Sequence, residues 1–185
     1  LMEKLHNHSG RPSVMVLRPA DAEETTAAWK MAMENIYTPT ALILSRQDVT
    51  SVPNTSAEGV KKGAYIVSKD ENPQVVMLAS GSEVSTLMAG AELLRAEGIR
   101  LQIVSVPSEA IFRQQSKEYQ TEVLPQGVTR FGLTAGLPCN LEGLVGEHGT
   151  VWGLNSFGFS APYKVLDEKL GFTAQNVYDQ VKKLL

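Results

Sequence analysis

An arginine follows directly after an apolar run in the first third of the chain. The run is Thr40 to Leu44, and Ser45-Arg46-Gln47 comes next. Because ligands of parallel α/β sheets bind beyond the carboxyl ends of the strands, a guanidinium at this position could hold a phosphate or a carboxylate. A well-aligned, charge-assisted contact of this kind is worth about 1.5–3 kcal/mol. The spacing alone leaves open a second interpretation, in which Arg46 pairs with an acidic side chain or solvates the strand end.

A strand, a helix and a second strand are predicted around this arginine. Val14 to Leu17 and Thr40 to Leu44 are short apolar runs typical of buried strands. Between them Asp21 stands at an N-cap position with Glu24 three residues on, a variant of the capping box. The three elements form a βαβ unit, which is right-handed by strong preference. The helix ends before Pro39 and has one wide apolar face, made of Thr25, Ala28, Trp29, Ala32 and Ile36.

A second βαβ unit is predicted further along, and its first turn could bind an anion. Val75 to Ala79 is a buried strand, a helix follows and ends at Gly98, and Leu101 to Val106 is the next strand. The turn Ser80-Gly81-Ser82 stands at the amino end of the helix, where free N–H groups can hold an anion. It lacks the Gly-Lys-Ser/Thr ending of a P-loop and the glycines of a dinucleotide fingerprint. A purely structural turn therefore remains the main alternative.

Two other groups contain residue types that bind metals or act as nucleophiles. His6 and His8 lie two residues apart near the start, without an acidic or cysteine partner nearby. Further on, one Gly-rich segment holds a cysteine, a histidine and two carboxylates. Their spacing matches no signature with a known mechanism, so we expect ordinary loop positions for Cys139, Glu142, Glu147 and His148.

The pattern of the rest of the chain predicts an α/β domain. Pro107 to Pro125 is predicted to be partly helical, with Phe112, Tyr119, Val123 and Leu124 packing inward, and Val128 to Leu133 is a strand. Thr134 to Thr150 is predicted to be irregular, and Val151 to Leu154 is another strand. Two structural helices close the chain. One opens at Pro162, faces inward with Val165, Leu166 and Leu170 and ends at Gly171; the other is capped by Thr173.

Composition narrows the class of protein. The 185 residues carry a formal net charge of −3, which favours neither nucleic acid nor an anionic membrane. No apolar run approaches the ~20 residues of a membrane span, and no signal peptide is recognisable. Cys139 is the single cysteine, which excludes an internal disulfide and suits a reducing cytosol.

The predicted units suggest a division of the chain into two parts. A two-stranded parallel pair is too small to bury its own faces, so the first unit should belong to a larger sheet or extend the following one. A segment rich in Ser, Thr, Pro and Asn separates it from the second unit and is typical of a linker. We therefore expect a first, partial domain over 1–53, a linker over 54–63 and a second domain over 64–185.

An ordered set of motifs resembles the transketolase family. The match begins with Arg18-Pro-Ala-Asp and Trp29-Lys30 and continues through Thr38 to Gln47, and it covers nearly all of the chain. Each motif alone is weak, whereas the ordered set is specific. The later motifs are Gly63-Ala64-Tyr65, Ala79 to Val84, Val106-Pro107-Ser108, Glu118-Tyr119, Val123-Leu124-Pro125 and Phe157 to Pro162.

The resemblance implies a fold and a function. The fold would be the transketolase carboxyl-terminal domain, a three-layer α/β arrangement with a mostly parallel sheet and helices on both faces. A remnant of the pyrimidine-binding domain, itself a thiamine-diphosphate-binding fold, would precede it. The family transfers a two-carbon ketol unit between sugar phosphates in the pentose phosphate pathway, in cytoplasmic homodimers that use thiamine diphosphate and Mg²⁺ or Ca²⁺. In that family the arginine of the Ser-Arg-Gln motif binds the phosphate of the sugar, and Arg46 matches it.

Other parts of the family pattern are missing from this sequence. It has no Gly-Asp-Gly start of a diphosphate and metal motif, no glutamate in the context that activates the aminopyrimidine, and no Gly-Pro-Thr-His loop. We therefore expect no catalytic, cofactor-binding or metal-binding residue here, and no catalysis by this chain alone. Transketolases also usually carry an acidic residue where Thr134 stands and a Trp-containing turn where Leu141 stands. Local packing and any subunit contact at those positions are expected to differ.

Two alternatives remain open at this point. The chain could belong to another thiamine-dependent enzyme of similar architecture, such as the thiamine component of a 2-oxoacid dehydrogenase or a deoxyxylulose-phosphate synthase. It could also be a separate, non-catalytic subunit that docks on a catalytic partner through a sheet edge or through the exposed face of the first βαβ unit. Sugar phosphates and the remainder of the enzyme are the expected partners.

Overall fold

The computed structural model describes residues 5–185, which form seven strands and eight helices. The strands form two separate sheets. In chain order these elements are β1 (Met15–Leu17), α1 (Ala22–Glu34), β2 (Thr40–Leu42), α2 (Ala57–Lys62), β3 (Tyr65–Lys69), β4 (Val75–Ala79), α3 (Glu83–Ala96), β5 (Leu101–Ser105), α4 (Glu109–Arg113), α5 (Lys117–Val123), β6 (Thr129–Leu133), α6 (Cys139–Val145), β7 (Thr150–Trp152), α7 (Tyr163–Leu170) and α8 (Ala174–Lys182).

The larger sheet has five strands in the order β3-β5-β4-β6-β7. The pairs β5–β4, β4–β6 and β6–β7 are parallel, and only the edge strand β3 runs antiparallel to its neighbour β5. The chain moves from β4 to one side for β5 and then crosses to the other side for β6. This reversal places a topological switch point between β4 and β6, and ligands of such sheets bind beyond the carboxyl ends of the strands there.

The five-stranded sheet is covered on both faces, which confirms the predicted three-layer fold. Alternate residues of a strand point to opposite faces, and β4 is fully buried on both. Val75, Met77 and Ala79 join the core formed with α3 and α8, whereas Val76 and Leu78 join the core formed with α4, α5 and α6. A strand that is buried on both faces must be continuously apolar, which is the pattern of Val75-Val76-Met77-Leu78-Ala79.

The first unit is a βαβ unit with a two-stranded sheet of its own. Strands β1 and β2 pair in parallel, with Leu17 opposite Leu42. The carboxylate of Asp21 accepts a hydrogen bond from the backbone N–H of Glu24, so the predicted N-cap is confirmed. Leu17, Ala20, Ala27 and Ala28 belong to the same core as α3 and α8. The first unit therefore packs directly against the domain that follows it.

The predicted apolar face of α1 is wrong in part. Ala28 is buried, but Trp29 is 51% exposed and Ile36 is 80% exposed. The buried side of the helix is formed instead by Glu24, Ala27 and Ala28. Helical periodicity detects an apolar face but does not say whether a neighbour covers it. Met33 of α1 and Tyr37 are also exposed. We call these four exposed side chains, Trp29 and Met33 of α1 and Ile36 and Tyr37 just after its end, the open face of α1.

Other boundaries differ from the sequence predictions. Strand β2 ends at Leu42, and the next two residues, Ile43 and Leu44, are about half exposed. The predicted irregular segment contains helix α6, which buries Leu141, Leu144 and Val145. Val165 of α7 is exposed rather than inward-facing, and no residue of that helix is fully buried.

The segment predicted to be a linker contains the short helix α2, and Val60 of this helix is completely buried. The division into a domain over 1–53, a linker over 54–63 and a domain over 64–185 stays a prediction, and residues 1–4 lie outside the described part of the chain. Within residues 5–185, none of the helices combines the length and the apolar character needed to cross a membrane.

A glycine sets the close packing of α3 against α8. A Cβ atom added to Gly90 would lie 2.5 Å from Val177 Cγ1 and 3.2 Å from the carbonyl oxygen of Ala174. We expect Gly90→Ala to destabilise the protein by about 1–3 kcal/mol through overpacking. This loss exceeds the gain of about 1 kcal/mol from the better helix propensity of alanine. The midpoint of urea unfolding measures the net effect.

The same substitution in a Val177→Ala protein tests whether the loss of stability comes from overpacking. In the Val177→Ala protein the nearest clashing atom, Val177 Cγ1 at 2.5 Å, is gone, whereas the Cβ atom at 2.7 Å remains, so Gly90→Ala should cost less there than in the wild-type background. Stabilisation by Gly90→Ala in the wild-type background would show that the two helices separate without cost, contrary to this account.

Candidate functional site

Arg46 lies in the loop that follows β2, and this loop borders a cavity of about 440 Å³. We call residues 43–50 the Arg46 loop and the space beside it the Arg46 cavity. The first unit supplies one wall, and the amino end of α3 supplies a second. Helix α7 and the residues after it supply a third. The polar residues around the cavity are Arg18, Ser45, Arg46, Gln47, Asp48, Thr50, Ser82, Glu83, Ser85, Thr86, Tyr163 and Asp167.

The guanidinium of Arg46 is available for a ligand. The residue is exposed, and among residues 5–185 it forms no hydrogen bond or ion pair. The interpretation in which Arg46 pairs with an acidic side chain is therefore not what the structure shows. A cation at the mouth of a cavity, beside the hydroxyl of Ser45 and the amide of Gln47, suits an anionic group with several oxygen acceptors.

The other arginine of the cavity, Arg18, already has protein partners, which it reaches through Nη1. Its guanidinium donates to the carbonyl oxygen and the hydroxyl of Ser80 and forms an ion pair with Glu83. The Arg18 side chain is 22% exposed and that of Glu83 only 7%. We call these contacts the Arg18 clamp. Because a partly buried guanidinium paired with a carboxylate is already neutralised, Arg46 is the cation of this cavity that remains free.

The turn Ser80-Gly81-Ser82 serves the fold. The N–H of Gly81 donates to the carbonyl oxygen of Arg18 at 3.1 Å, and the clamp occupies the space over the turn. Glu83 contributes a negative charge to the first turn of α3, and its other carboxylate oxygen accepts from the hydroxyl of Ser82. These contacts support the structural interpretation of this turn, because an incoming anion would meet Glu83.

Two carboxylates of α1 join the first unit to the rest of the molecule. Asp21 Oδ2 accepts from the N–H of Val52 at 3.0 Å and from the hydroxyl of Thr55 at 2.8 Å. Glu24 is completely buried, and its Oε1 accepts from Tyr65 at 2.7 Å and from Ser105 at 2.6 Å. We call this set of contacts the carboxylate joint. It fixes the βαβ unit, and with it the Arg46 loop, relative to strands β3 and β5.

The pKa values of two residues of the carboxylate joint, Glu24 and Tyr65, are raised. Burial raises the pKa of Glu24, and the hydrogen bonds from Ser105, Tyr65 and the N–H of Ala20 offset only part of that effect. Burial, together with the nearby negative charge of Glu24, also raises the pKa of the Tyr65 hydroxyl, which therefore stays protonated and donates. The second oxygen of Glu24 accepts from the N–H of Ala20 at 2.7 Å, just before the helix, and completes the capping-box variant.

Helix α7 brings a third carboxylate to the Arg46 cavity. Burial raises the pKa of Asp167, and the negative charge of Glu83 raises it further. Glu83 and Asp167 both line the cavity, so their negative charges disfavour each other. The sequence had indicated a purely structural role for α7, and the structure places Tyr163, Leu166 and Asp167 of this helix in the cavity wall.

A second cavity of about 480 Å³ lies on the other side of Arg18, at the switch point of the larger sheet. It is bordered by the segments that follow β4, β5 and β6, including Ser80, Val106 and Thr134. Thr134 is buried, and its hydroxyl accepts from the N–H of Gly136 at 3.1 Å. At the position where transketolases usually have an acidic residue, this chain therefore has a satisfied neutral side chain.

The remaining candidates from the sequence do not form a site. Cys139 is exposed at the start of α6. Within residues 5–185, no group of three or more His, Cys, Asp and Glu side chains could hold a metal ion. Cys139, Glu142, Glu147 and His148 therefore do not come together as such a group in the described part of the chain.

Sequence reasoning quoted Arg18 and Glu83 as motif residues but assigned them no role. The sequence did indicate that both residues have partners, because a charged residue next to a buried strand or at the start of a buried helix is usually paired. The pairing itself joins positions 65 residues apart and could not be read from local spacing.

The fold and the position of Arg46 together define a class of protein. It is a doubly wound α/β domain, joined by buried carboxylates to a βαβ unit that presents a free arginine beyond its second strand. Comparison with known sequences supports and narrows this class. The sequence model described as Transketolase-like TK C-terminal domain matches residues 63–173. The chain belongs to the transketolase family.

The relatives show how much of a family member the chain represents. It is 43% identical over 190 residues to a transketolase of Geobacillus stearothermophilus, and this match covers 100% of the chain but 28% of the relative. A structure of Pichia stipitis transketolase in complex with sedoheptulose-7-phosphate superposes with a TM-score of 0.88 and 32% identity. That match covers 95% of this chain and 26% of the other.

A third similar structure comes from a divided enzyme. It is described as a split gene transketolase, inactive beta4 tetramer, and it superposes with a TM-score of 0.79 and 26% identity. The match covers all of this chain and 60% of the other. The chain thus spans little more than a quarter of the undivided relatives and a larger share of a separately encoded subunit.

The carboxylate joint predicts a pH-dependent mutational effect. A glutamine at position 24 can still accept from Tyr65 and Ser105 through its oxygen, but its NH₂ group then faces the N–H of Ala20. We expect Glu24→Gln to destabilise the protein by about 1–3 kcal/mol, the cost of a buried donor without an acceptor. Urea unfolding at several pH values measures it.

The sign of the pH dependence follows from the raised pKa of Glu24. The folded protein binds this proton more tightly than the unfolded chain does, so protonation stabilises the wild-type protein as the pH falls. The cost of Glu24→Gln should therefore grow as the pH falls through the folded pKa and become constant below the ordinary value of 4.5. Glu34→Gln, on the exposed end of the same helix, should stay within about 0.5 kcal/mol at every pH. A cost that shrinks toward low pH would contradict the assignment.

Proposed function

We propose that this chain acts as part of a transketolase, an enzyme that transfers a two-carbon ketol unit between sugar phosphates. The observation that carries this proposal is the free guanidinium of Arg46 at the mouth of a cavity, in a chain that belongs to the transketolase family. The similar Pichia stipitis structure contains sedoheptulose-7-phosphate, a substrate of the proposed class. The other thiamine-dependent enzymes considered from the sequence have no comparable support.

Arg46 is proposed to hold the phosphate end of the sugar. A phosphate offers several strong acceptor oxygens, and a guanidinium can donate to two of them at once. Fixing the phosphate end places the carbonyl end of the sugar at a defined distance from the reacting centre and reduces the entropy lost on reaching the transition state. The neutralised Arg18 leaves this role to Arg46.

Thiamine diphosphate and a divalent cation, Mg²⁺ or Ca²⁺, are the proposed cofactors of the assembled enzyme. When bound, thiamine diphosphate supplies the electron sink for cleavage of the carbon–carbon bond. The residues of this chain do not fit the group. The sequence lacks the Gly-Asp-Gly motif, and no described cluster of three acidic, His or Cys side chains could ligate the cation. We assign cofactor binding to the remainder of the enzyme.

The open face of α1 supports a proposal about partners. Trp29, Met33, Ile36 and Tyr37 expose from 51% to 80% of their surface, and the two-stranded sheet beside them has free edges. Several large apolar side chains exposed along one short stretch of chain are typical of an interface. We propose that the remainder of the enzyme covers it, in a homodimeric assembly located in the cytoplasm.

The remainder of the enzyme could be the same polypeptide or a separate subunit. The similarity to a chain of a split gene transketolase supports the second arrangement, a separate subunit. The intact mass of the natural polypeptide decides between them. A mass near 20.1 kDa means a small subunit with a partner chain, and a mass several times larger means one continuous enzyme.

Substitution of Arg46 tests the substrate role. In the assembled enzyme we expect Arg46→Ala to lower kcat/KM for sedoheptulose 7-phosphate by about ten- to a hundredfold, which corresponds to the loss of one charge-assisted contact. The value for unphosphorylated sedoheptulose should change little. Arg100→Ala, which removes an exposed guanidinium bonded to the carbonyl of Asn72, serves as the control. An unchanged ratio between the two sugars in Arg46→Ala would remove Arg46 from the site.

The cofactor assignment can be tested on the isolated chain. We expect isothermal titration with thiamine diphosphate and Mg²⁺ to show no binding to the 185-residue chain, because the groups that hold the diphosphate lie elsewhere. Cooperative thermal unfolding of the same sample must first show that the chain is folded. Micromolar binding under these conditions would place the cofactor site, at least in part, on this chain.

A further inference from the structure

We infer that Arg18 and Glu83 are positioning residues for Arg46, so that the domain containing α3 sets the affinity of the sugar phosphate site without touching the substrate. The inference rests on the proposed role of Arg46. It concerns residues on two different units, because Arg18 follows β1 and Glu83 begins α3. Both line the Arg46 cavity together with Ser45, Arg46 and Gln47.

Backbone hydrogen bonds connect the clamp to the Arg46 loop. The N–H of Arg18 donates to the carbonyl oxygen of Pro107 at 2.8 Å, and the carbonyl oxygen of Arg18 accepts from Gly81 at 3.1 Å. One residue earlier, the carbonyl oxygen of Leu17 accepts from the N–H of Ile43 at 2.9 Å, which is where the Arg46 loop begins. A shift of Arg18 would therefore be transmitted through β1 to the start of this loop.

Glycine is required where the guanidinium of Arg18 rests. A Cβ atom on Gly81 would lie 2.7 Å from Cζ and 2.9 Å from Nη1 of Arg18, and the residue has a φ of +66°. Only a residue without a side chain lets the turn approach the guanidinium so closely. The backbone of the turn before α3 is thus in close contact with the guanidinium of Arg18.

The charges of the clamp also fit a positioning role. Glu83 is nearly buried and accepts from Arg18, from the hydroxyl of Ser82 at 3.0 Å and from the N–H of Ala135 at 3.4 Å. It therefore links three segments around the carboxyl edge of the sheet. Because Glu83 neutralises Arg18, the clamp adds rigidity beside the cavity without adding a competing positive charge for the phosphate.

The test compares two glycines that differ only in what a new side chain would meet. Gly81 and Gly98 both have a positive φ, +66° and +77°, so alanine strains the backbone similarly at either position. At Gly98 nothing lies within 4 Å of the added Cβ atom, whereas at Gly81 it displaces the Arg18 guanidinium. Gly98→Ala is therefore a matched control for Gly81→Ala.

In the assembled enzyme we expect Gly81→Ala to raise KM for sedoheptulose 7-phosphate about three- to tenfold, with kcat within about twofold of the wild-type value, because the guanidinium of Arg46 is displaced but retained. KM for unphosphorylated sedoheptulose should not change, and Gly98→Ala should leave both values unchanged. Equal effects on the two sugars, or equal effects of the two alanine variants, would overturn the inference.

A second variant keeps the test decisive if Gly81→Ala does not fold. Glu83→Gln breaks the clamp without adding volume, and Asp70→Asn breaks an ion pair with Arg95 that lies away from the cavity. We expect the phosphate-selective rise in KM for Glu83→Gln and not for Asp70→Asn. The same rise in both, or in neither, contradicts a positioning role for Glu83.

Combination with Arg46→Ala separates this inference from the proposed function. If the clamp acts through Arg46, Gly81→Ala or Glu83→Gln should add no further rise in KM once Arg46 is absent. Fully additive effects would show that the clamp acts on the substrate by another route. If Arg46→Ala alone changes nothing, the proposed function fails; if only the clamp variants change nothing, the function stands and this inference fails.

Discussion

The buried carboxylate of Glu24 is the constraint on which the rest of the structure depends. A carboxylate removed from water is costly unless donors surround it, and its three donors come from three separate segments. Tyr65 lies on the edge strand, Ser105 ends a central strand, and Ala20 precedes the helix that carries the carboxylate. These donors reach the carboxylate together only when the first unit sits in one orientation on the larger sheet. A single polar group thereby specifies an arrangement that apolar packing alone would leave adjustable.

The orientation set by Glu24 decides which charges are free. With the first unit in place, Arg18 lies on the turn before α3 and is neutralised by Glu83, while Arg46 lies in the loop after β2 and has no partner among residues 5–185. Two arginines that look equivalent in the sequence thus have opposite roles. One joins two units, and the other remains available to an anion. The division of roles is a property of tertiary structure, because the side chain that neutralises Arg18 lies 65 residues away in the sequence.

The features that were predicted correctly depend on neighbours in the chain. The apolar run of β4, the cap at Asp21 and the glycine at position 98 each express a local rule about burial, hydrogen bonding or backbone conformation. The position of Arg46 after a strand and beside a cavity also followed from local sequence, whereas its role in binding a ligand stays a prediction. These rules identified the elements, whereas several of their boundaries, such as the end of β2, differ from the prediction by one or two residues.

The errors concern contacts between distant parts of the chain. Trp29 and Ile36 have helical spacing and apolar side chains, yet no element of the described chain covers them. Val165 resembles a core residue by the same criteria and is half exposed. Helix α6 was missed because the glycines of residues 134–150 and Pro138 suggested a loop, although Leu141 and Leu144 bury one side of the helix. Periodicity reports which residues share a face, and only the partners determine whether that face is buried.

The open face of α1 has a thermal consequence for assembly. Burial of apolar side chains such as Trp29, Met33 and Ile36 is driven mainly by the entropy of water near room temperature and weakens on cooling. An interface built on this face should therefore release its partner more readily in the cold, while the carboxylate joint within the chain, which is held by hydrogen bonds, persists. Association through this face would then weaken on cooling and recover on warming.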